Sequence, residues 1–193
     1  MHGNINLNLG AQRSDELLFQ LMKKGDREAF AELYERREPA LYRFALHMTG
    51  SAASAEEIAH EVFVQLMAAN TRFDEARGSL EAWMYGVARN LVRVHRRKSA
   101  NAAPATQTEL GYEPNVLGSL IDGETMTALH AAIRELPGGY REAVVLCDLE
   151  ERNYDEAARL AGCPVGTIRS RLHRARALLA GKLRRLKTPV GAR

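Results

Sequence analysis

Cysteine, long apolar runs and catalytic signatures are what this chain has least of. Its 193 residues include two cysteines, Cys147 and Cys163, with neither CxxC spacing nor neighbouring histidine. A disulfide framework or thiolate metal site therefore finds no support, and both are expected as buried or partly buried reduced thiols. No apolar run approaches the roughly 18 residues of a membrane span. The first twelve residues lack the charged start and apolar core of a secretory signal, so a cytoplasmic protein without membrane insertion is expected. HExxH, a glycine-rich phosphate loop and GxSxG are all missing, which removes the common hydrolase and nucleotide-binding signatures. Glu57 and His60 have the spacing of half a di-iron site, but no other histidine has a glutamate three residues before it. No metal, no cofactor and no catalytic residue are expected.

What is present is charge, unevenly placed. The net charge of +3 hides two acid-free stretches, 89–98 and 163–193, which hold fourteen of the 27 Lys and Arg residues. All 24 acidic residues lie in the remainder. Two cationic blocks on an acidic body suggest one polyanion gripped at two places, with duplex DNA the obvious candidate.

The apolar pattern is helical wherever it is periodic, and strand-like alternation is absent at useful length. Leu17, Leu18 and Leu21 form a first stripe ended by Gly25-Asp26, a helix stop followed by a fresh cap. Phe30, Leu33 and Tyr34 begin a second helix, which Pro39 is expected to restart before Leu41, Phe44, Ala45 and Met48 carry it to Gly50. Ser54 with Glu57 reads as a capping box opening a third helix with Ile58, Val62, Phe63 and Leu66 inside. A fourth, from about Ser79 to Lys98, has Trp83, Val87, Leu91 and Val94 as its apolar stripe. Residues 99–122 lose periodicity and read as a flexible linker. The expected fold is all-α: two small helical domains, 13–98 and 123–188, joined by that linker, with a flexible extension at 1–12 and a tail at 189–193.

The second domain carries the clearest motif. Asn153 caps a short helix, Tyr154 to Ala161, with Asp155 and Glu156 where the helix dipole favours anions. Gly162-Cys163-Pro164 makes a turn, and a second helix runs from about Val165 towards Leu179. This is a helix-turn-helix, whose second helix enters the major groove. At 100° per residue Ile168, Leu172, Ala175 and Leu179 gather on one side, and Gly166, Arg169, Ser170, His173, Arg174 and Ala177 on the other. Small residues let the backbone approach the groove while Arg169 and Arg174 reach phosphates or guanine edges. Arg171 and Arg176 lie at the margins, where a phosphate contact and an intramolecular ion pair are both open. Lys182 to Lys187 suits further phosphate contacts and a soluble tail equally.

In the first domain the loop 73–79, FDEARGS, precedes the basic helix bearing Asn90, Arg93, Arg96 and Arg97. A loop beside a basic helix is a place to hold an unpaired base. With the stretches 55–63 (AEEIAHEVF), 82–90 (AWMYGVARN), 136–142 (LPGGYRE) and, most closely, 162–176 (GCPVGTIRSRLHRAR), in that order along the chain, the sequence resembles the extracytoplasmic-function sigma factors of bacterial RNA polymerase. The resemblance covers nearly all of Asp15 to Leu186 apart from the linker.

That resemblance implies a protein without catalytic activity that binds core RNA polymerase and directs it to promoters. Glu57, His60 and Glu61 would meet the clamp coiled coil, with His60 standing where the family usually has Gln, and the second domain would sit on the flap. Phe73, Asp74, Ser79, Asn90, Arg93, Arg96 and Arg97 would engage the melted minus-10 element. Gly166, Thr167, Arg169, Ser170, Arg171, His173 and Arg174 would read the minus-35 element as duplex. An anti-sigma factor covering both domains is the expected regulatory partner. One departure concerns packing: Glu151-Arg152-Asn153-Tyr154 replaces the family's more usual Gly-Leu-Ser-Tyr, removing a turn glycine and an apolar contact, and Ala157 stands where a larger aliphatic is common.

Overall fold

The computed structural model describes residues 13–68, 73–101 and 123–187, and among these no strand occurs. Eight helices follow in order: α1 (Asp15–Lys23), α2 (Arg27–Thr49), α3 (Ala52–Met67), α4 (Leu80–Asn101), α5 (Gly123–Arg134), α6 (Gly138–Val144), α7 (Tyr154–Ala161) and α8 (Val165–Lys187). The expected extension 1–12, residues 102–122 of the expected linker and the tail 189–193 lie outside the described residues. In the first bundle α2 is central and packs against α1, α3 and α4; in the second, α8 packs against α5, α6 and α7. The all-α, two-unit architecture read from the sequence is the one observed.

Local chemistry sets most helix starts. Ser14 Oγ accepts from Leu17 N at 3.2 Å, and Asp26 Oδ1 accepts from Glu28 N and Ala29 N at 2.9 and 3.0 Å. Asn153 and Glu156 form the reciprocal capping box of α7 at 3.0 and 3.1 Å, satisfying two otherwise orphaned N–H groups. Four expectations need correction, the first being that Leu17 of the α1 stripe is 47% exposed while Phe19 beside Leu18 is buried. The α3 cap is Ser51, which accepts from Ser54 N at 3.3 Å, because Gly50 at φ 79° ends α2 abruptly and lets α3 begin early. Ser54 is instead buried, its hydroxyl 3.3 Å from His95 Nε2. Helix α2 does not restart at Pro39 but runs through it; buried Leu33 and Leu41 on either side hold it across the missing N–H bond. On α4 the buried face is Leu80, Met84, Tyr85, Ala88 and Val92, while Val94 is 48% exposed and Trp83, Val87 and Leu91 are at the margin. The face turned because α4 is covered twice, by α2 and α3 on one side and by α7 on the other.

The family glycine missing before the helix-turn-helix leaves a visible mark. Glu151 is the one non-glycine described residue with positive φ, at 54°. Left-handed backbone disfavours an L side chain by about 1–2 kcal/mol, part of which glycine gives back through unfolded-state entropy. Glu151→Gly is therefore expected to stabilise the protein by about 0.5–1 kcal/mol and raise the melting temperature by a few degrees. A calorimetric scan showing no rise would count against strain at this turn. The lost apolar contact is offset elsewhere: Arg152 donates to Glu81 of α4 at 3.0 Å.

The two bundles are in contact. Arg89 Nε of α4 donates to Glu142 Oε1 of α6 at 2.6 Å and its Nη2 donates to the Leu160 carbonyl. Arg141 Nη1 donates to the Met48 carbonyl at 2.6 Å, and Tyr85 Oη donates to Glu150 Oε2 at 2.8 Å. His47 of α2 and His130 of α5 stack, with ring centroids 5.8 Å apart and planes 18° from parallel.

Candidate nucleic-acid interface

The helix-turn-helix is built from the sequence outward. Gly162 caps α7 at φ 62°, a left-handed turn that glycine takes without strain, and Pro164 O accepts from Thr167 N at 2.8 Å as α8 starts. Ile168, Leu172, Ala175 and Leu179 are all buried, as the spacing predicts. The opposite face presents Gly166, Arg169, Ser170, His173, Arg174 and Ala177 to solvent. Arg169 lies over the Tyr154 ring at 5.4 Å, which orients its guanidinium. Ser170 Oγ donates to the Thr167 carbonyl at 3.0 Å, the half-buried Thr167 thereby fixing the hydroxyl beside it. Neither His173 nor Arg174 has an ion pair among those described.

The two marginal arginines divide. Arg176 donates from Nη2 to Asp148 Oδ1 at 2.5 Å and from Nε to Oδ2 at 3.2 Å, so it belongs to an intramolecular pair. Arg171 is half-buried and turned away from the outer face. A Cβ on Gly139 would lie 3.3 Å from its Cζ, and its Nη1 is 3.9 Å from Cys163 Sγ. Both cysteines are free and partly buried, and burial pushes both thiols above the ordinary range.

The first-domain residues take up two positions. Within residues 73–79 a short 3-10 turn, Glu75–Arg77, is capped by Asp74, whose Oδ1 accepts from Ala76 N at 3.0 Å. Ser79 Oγ accepts from Ala82 N at 3.2 Å, so it caps α4. Phe73 is half-buried, its ring edge-on to Phe19 at 5.3 Å and to Trp83 at 6.3 Å. On α4, Asn90, Arg93, Arg96 and Arg97 are exposed. Around the bundle, α3 presents Glu57 and His60 to solvent with Glu61 half-buried, and Gln65 Nε2 donates to Glu61 Oε1 at 3.0 Å. Val64 and Met67 continue that face at 39% and 52% exposure, an acidic stripe running into an apolar one.

What sequence reasoning missed is the set of polar contacts between the bundles. Arg89 and Glu142 are 53 residues apart, and Arg141 and Met48 are 93 apart, so no local pattern pairs them. The one signal was Arg141-Glu142, a charged pair opening an otherwise apolar run. Arg141 is 4% exposed, and burial followed by the charges of Arg96 and Arg134 lowers its pKa to about 10. Among the described residues no three His, Cys, Asp or Glu side chains converge as a metal-ligand group, and no helix is long and apolar enough to cross a membrane.

Comparison with known proteins gives two family matches. Residues 33–102 match Sigma-70 region 2 and residues 126–179 match Sigma-70, region 4. The chain is 29% identical over 177 residues to the ECF RNA polymerase sigma factor SigW of Bacillus subtilis, covering 86% of this chain and 94% of the relative. It is 34% identical over 165 residues to the ECF RNA polymerase sigma factor SigC of Mycobacterium tuberculosis, covering 81% and 85%. Among solved structures it resembles the sigma factor RpoE from Bartonella quintana, solved with the anti-sigma factor NepR, at TM-score 0.62 and 26% identity over 80% of this chain and 96% of that one. CnrH, solved with the cytosolic domain of CnrY, shares the fold at TM-score 0.63 and 22% identity, over 91% and 100%.

Proposed function

This chain belongs to the extracytoplasmic-function sigma factors of the sigma-70 family, transcription-initiation factors rather than enzymes, and from that premise we propose how its own residues divide the work in the cytoplasm. The outer face of α8, with Gly166, Thr167, Arg169, Ser170, His173 and Arg174, reads the minus-35 duplex from the major groove. The observation that carries this is an exposed helix face with arginines and small residues and no acid at all. Arg171 joins that set once the bundles part and its guanidinium leaves the cleft. Asn90, Arg93, Arg96 and Arg97, with Asp74 and Ser79 of the preceding loop, engage the melted minus-10 strand. Phe73 packs between Phe19 and Trp83, so it props the loop and leaves the pocket to its neighbours. Glu57, His60 and Glu61, continued by Val64 and Met67, dock on the clamp coiled coil of core RNA polymerase, and the second bundle docks on the flap.

Melting then needs no catalytic group. Binding energy gathered on duplex by α8 and on polymerase by α3 is realised as contacts to a strand that exists only after opening. An anti-sigma factor is the regulatory partner, supported by the 26%-identical sigma factor solved with one.

Transcription from defined start sites with purified core enzyme tests this reading. Arg174→Ala is expected to lower initiation about tenfold or more, a base or phosphate contact being worth about 1–3 kcal/mol, while core affinity stays unchanged. Glu61→Arg is expected to do the reverse, weakening core capture through charge reversal in a docking face. Equal loss of both properties in Arg174→Ala, or unchanged core affinity in Glu61→Arg, removes that residue from its assigned surface.

A further inference from the structure

Where α4 faces α6, α7 and the start of α8, the bundles leave a cavity of about 400 Å³ lined by Arg89, Arg93, Arg96 and Arg171 over a floor of Met48, Val92 and Ala161. Its single acidic lining residue, Glu142, is already paired with Arg89 at 2.6 Å. Four guanidinium groups against one carboxylate leave the lining at +3. Among the described residues Arg93, Arg96 and Arg171 have no carboxylate partner. Two of these charges come from different bundles and are brought close: a Cβ on Gly138 would lie 3.1 Å from Arg96 Nη1, and one on the adjacent Gly139 3.3 Å from Arg171 Cζ. Side-chain-free residues at 138 and 139 make room for both forks. Like charges converging in a partly enclosed space repel each other unless an anion lies between them.

We propose that this cleft is a binding site for a small polyphosphate, either an inorganic chain or the phosphate tail of a nucleotide, held by Arg93 and Arg96 of α4 and Arg171 of α8. Planar guanidinium forks match phosphate oxygens bidentately, and the volume falls in the range of about 300–1,000 Å³ typical of small-molecule sites. An extended acidic peptide would not fit between the bundles without parting them. The bound anion bridges the two bundles, keeping Arg93, Arg96 and Arg171 from the promoter contacts proposed above. That regulatory consequence rests on the sigma-factor reading, whereas the binding itself does not.

The test is calorimetric titration of the full chain, free of polymerase and DNA, with inorganic tripolyphosphate and separately with ATP, at constant ionic strength set by chloride. A one-to-one site is expected, weakened about tenfold or more by Arg96→Gln or Arg171→Gln, since each removes charge-assisted hydrogen bonds to phosphate oxygens. Arg97→Gln, exposed on the same helix outside the cleft, is expected to bind as the parent does. Tighter binding of ATP than of tripolyphosphate assigns the floor of Met48, Val92 and Ala161 to the nucleoside, and equal binding assigns the site to the phosphates alone; both support the cleft. Absence of one-to-one binding, or equal weakening in Arg97→Gln, overturns it, the latter exposing attraction to general helix charge. Because polymerase is absent, this failure is distinct from failure of the transcription assay.

Discussion

Glu142→Ala is expected to part the two bundles and expand the molecule. The Glu142 side chain is 7% exposed and its partner Arg89 18% exposed, so both charges have given up most of their water for each other. Without the carboxylate, Arg89 keeps only the Leu160 carbonyl, a single neutral acceptor for five donors. Removing one partner of a buried ion pair typically destabilises by about 3–5 kcal/mol, chiefly through the stranded charge. Here the charge has an escape: separation of the bundles returns Arg89 to solvent without unfolding either core. The energy therefore appears as opening, observable as a larger radius of gyration by small-angle scattering, with helix content unchanged. Glu142→Gln keeps an acceptor at the same place and is expected to open less. A radius unchanged in Glu142→Ala would mean that Arg141 to Met48 and Tyr85 to Glu150 hold the contact without the ion pair.

The opening matters because the proposed promoter contacts and the closed arrangement draw on the same helix, α4. Its basic residues were legible in sequence as a DNA-facing block, and the family resemblance gave them a partner. In the structure Arg89 of that block is spent on Glu142 and Leu160, and Arg93 and Arg96 line the cleft. The promoter contacts proposed above and the closed contact thus compete for one helix.

This competition also marks where sequence reading stopped. Periodicity of 3.6 residues identified the α8 core of Ile168, Leu172, Ala175 and Leu179 because that helix is buried along one stripe. It misplaced the buried face of α4, where burial comes from two directions and Tyr85 serves both. Tyr85 packs its ring on Phe44 of α2 at 5.1 Å and gives its hydroxyl to Glu150. A capping box was read at Ser54 and Glu57 because spacing alone fits, yet the left-handed Gly50 moved the cap to Ser51. Ser51 caps; Glu57 is left for the surface. On α8 the exposed residues Gly166, Arg169, Ser170, His173, Arg174 and Ala177 were legible, since that helix buries a single stripe. Pairing across the bundles was not, because nothing in a chain of 193 residues links position 48 to position 141 until both are folded.

Acid is expected to loosen the same contact. His47 and His130 meet face to face across the bundles, with Arg43 on α2 and Arg134 on α5 as the charged neighbours that bear on them. Burial, then the facing His130 and Arg43, lowers the His47 pKa from 6.5 to about 4; burial and Arg134 lower that of His130. A depressed histidine pKa means that the closed, folded state resists the proton. Its contribution to stability is complete above about pH 6.5 and is lost progressively as pH falls from there towards 4. Allowing for the partial exposure of the His47 ring, its share of the loss is about 1–3 kcal/mol. Glu150 works in the opposite sense. Its burial raises its carboxyl pKa, so its protonation favours the closed state as pH falls, and the observed slope is the difference between the two. His47→Gln separates them, because it keeps a planar polar side chain and cannot be charged. Parent protein is expected to lose thermal stability between pH 7 and pH 5, and His47→Gln to show a flatter or reversed dependence. An equal slope in both would assign the acid sensitivity to groups other than the stacked pair.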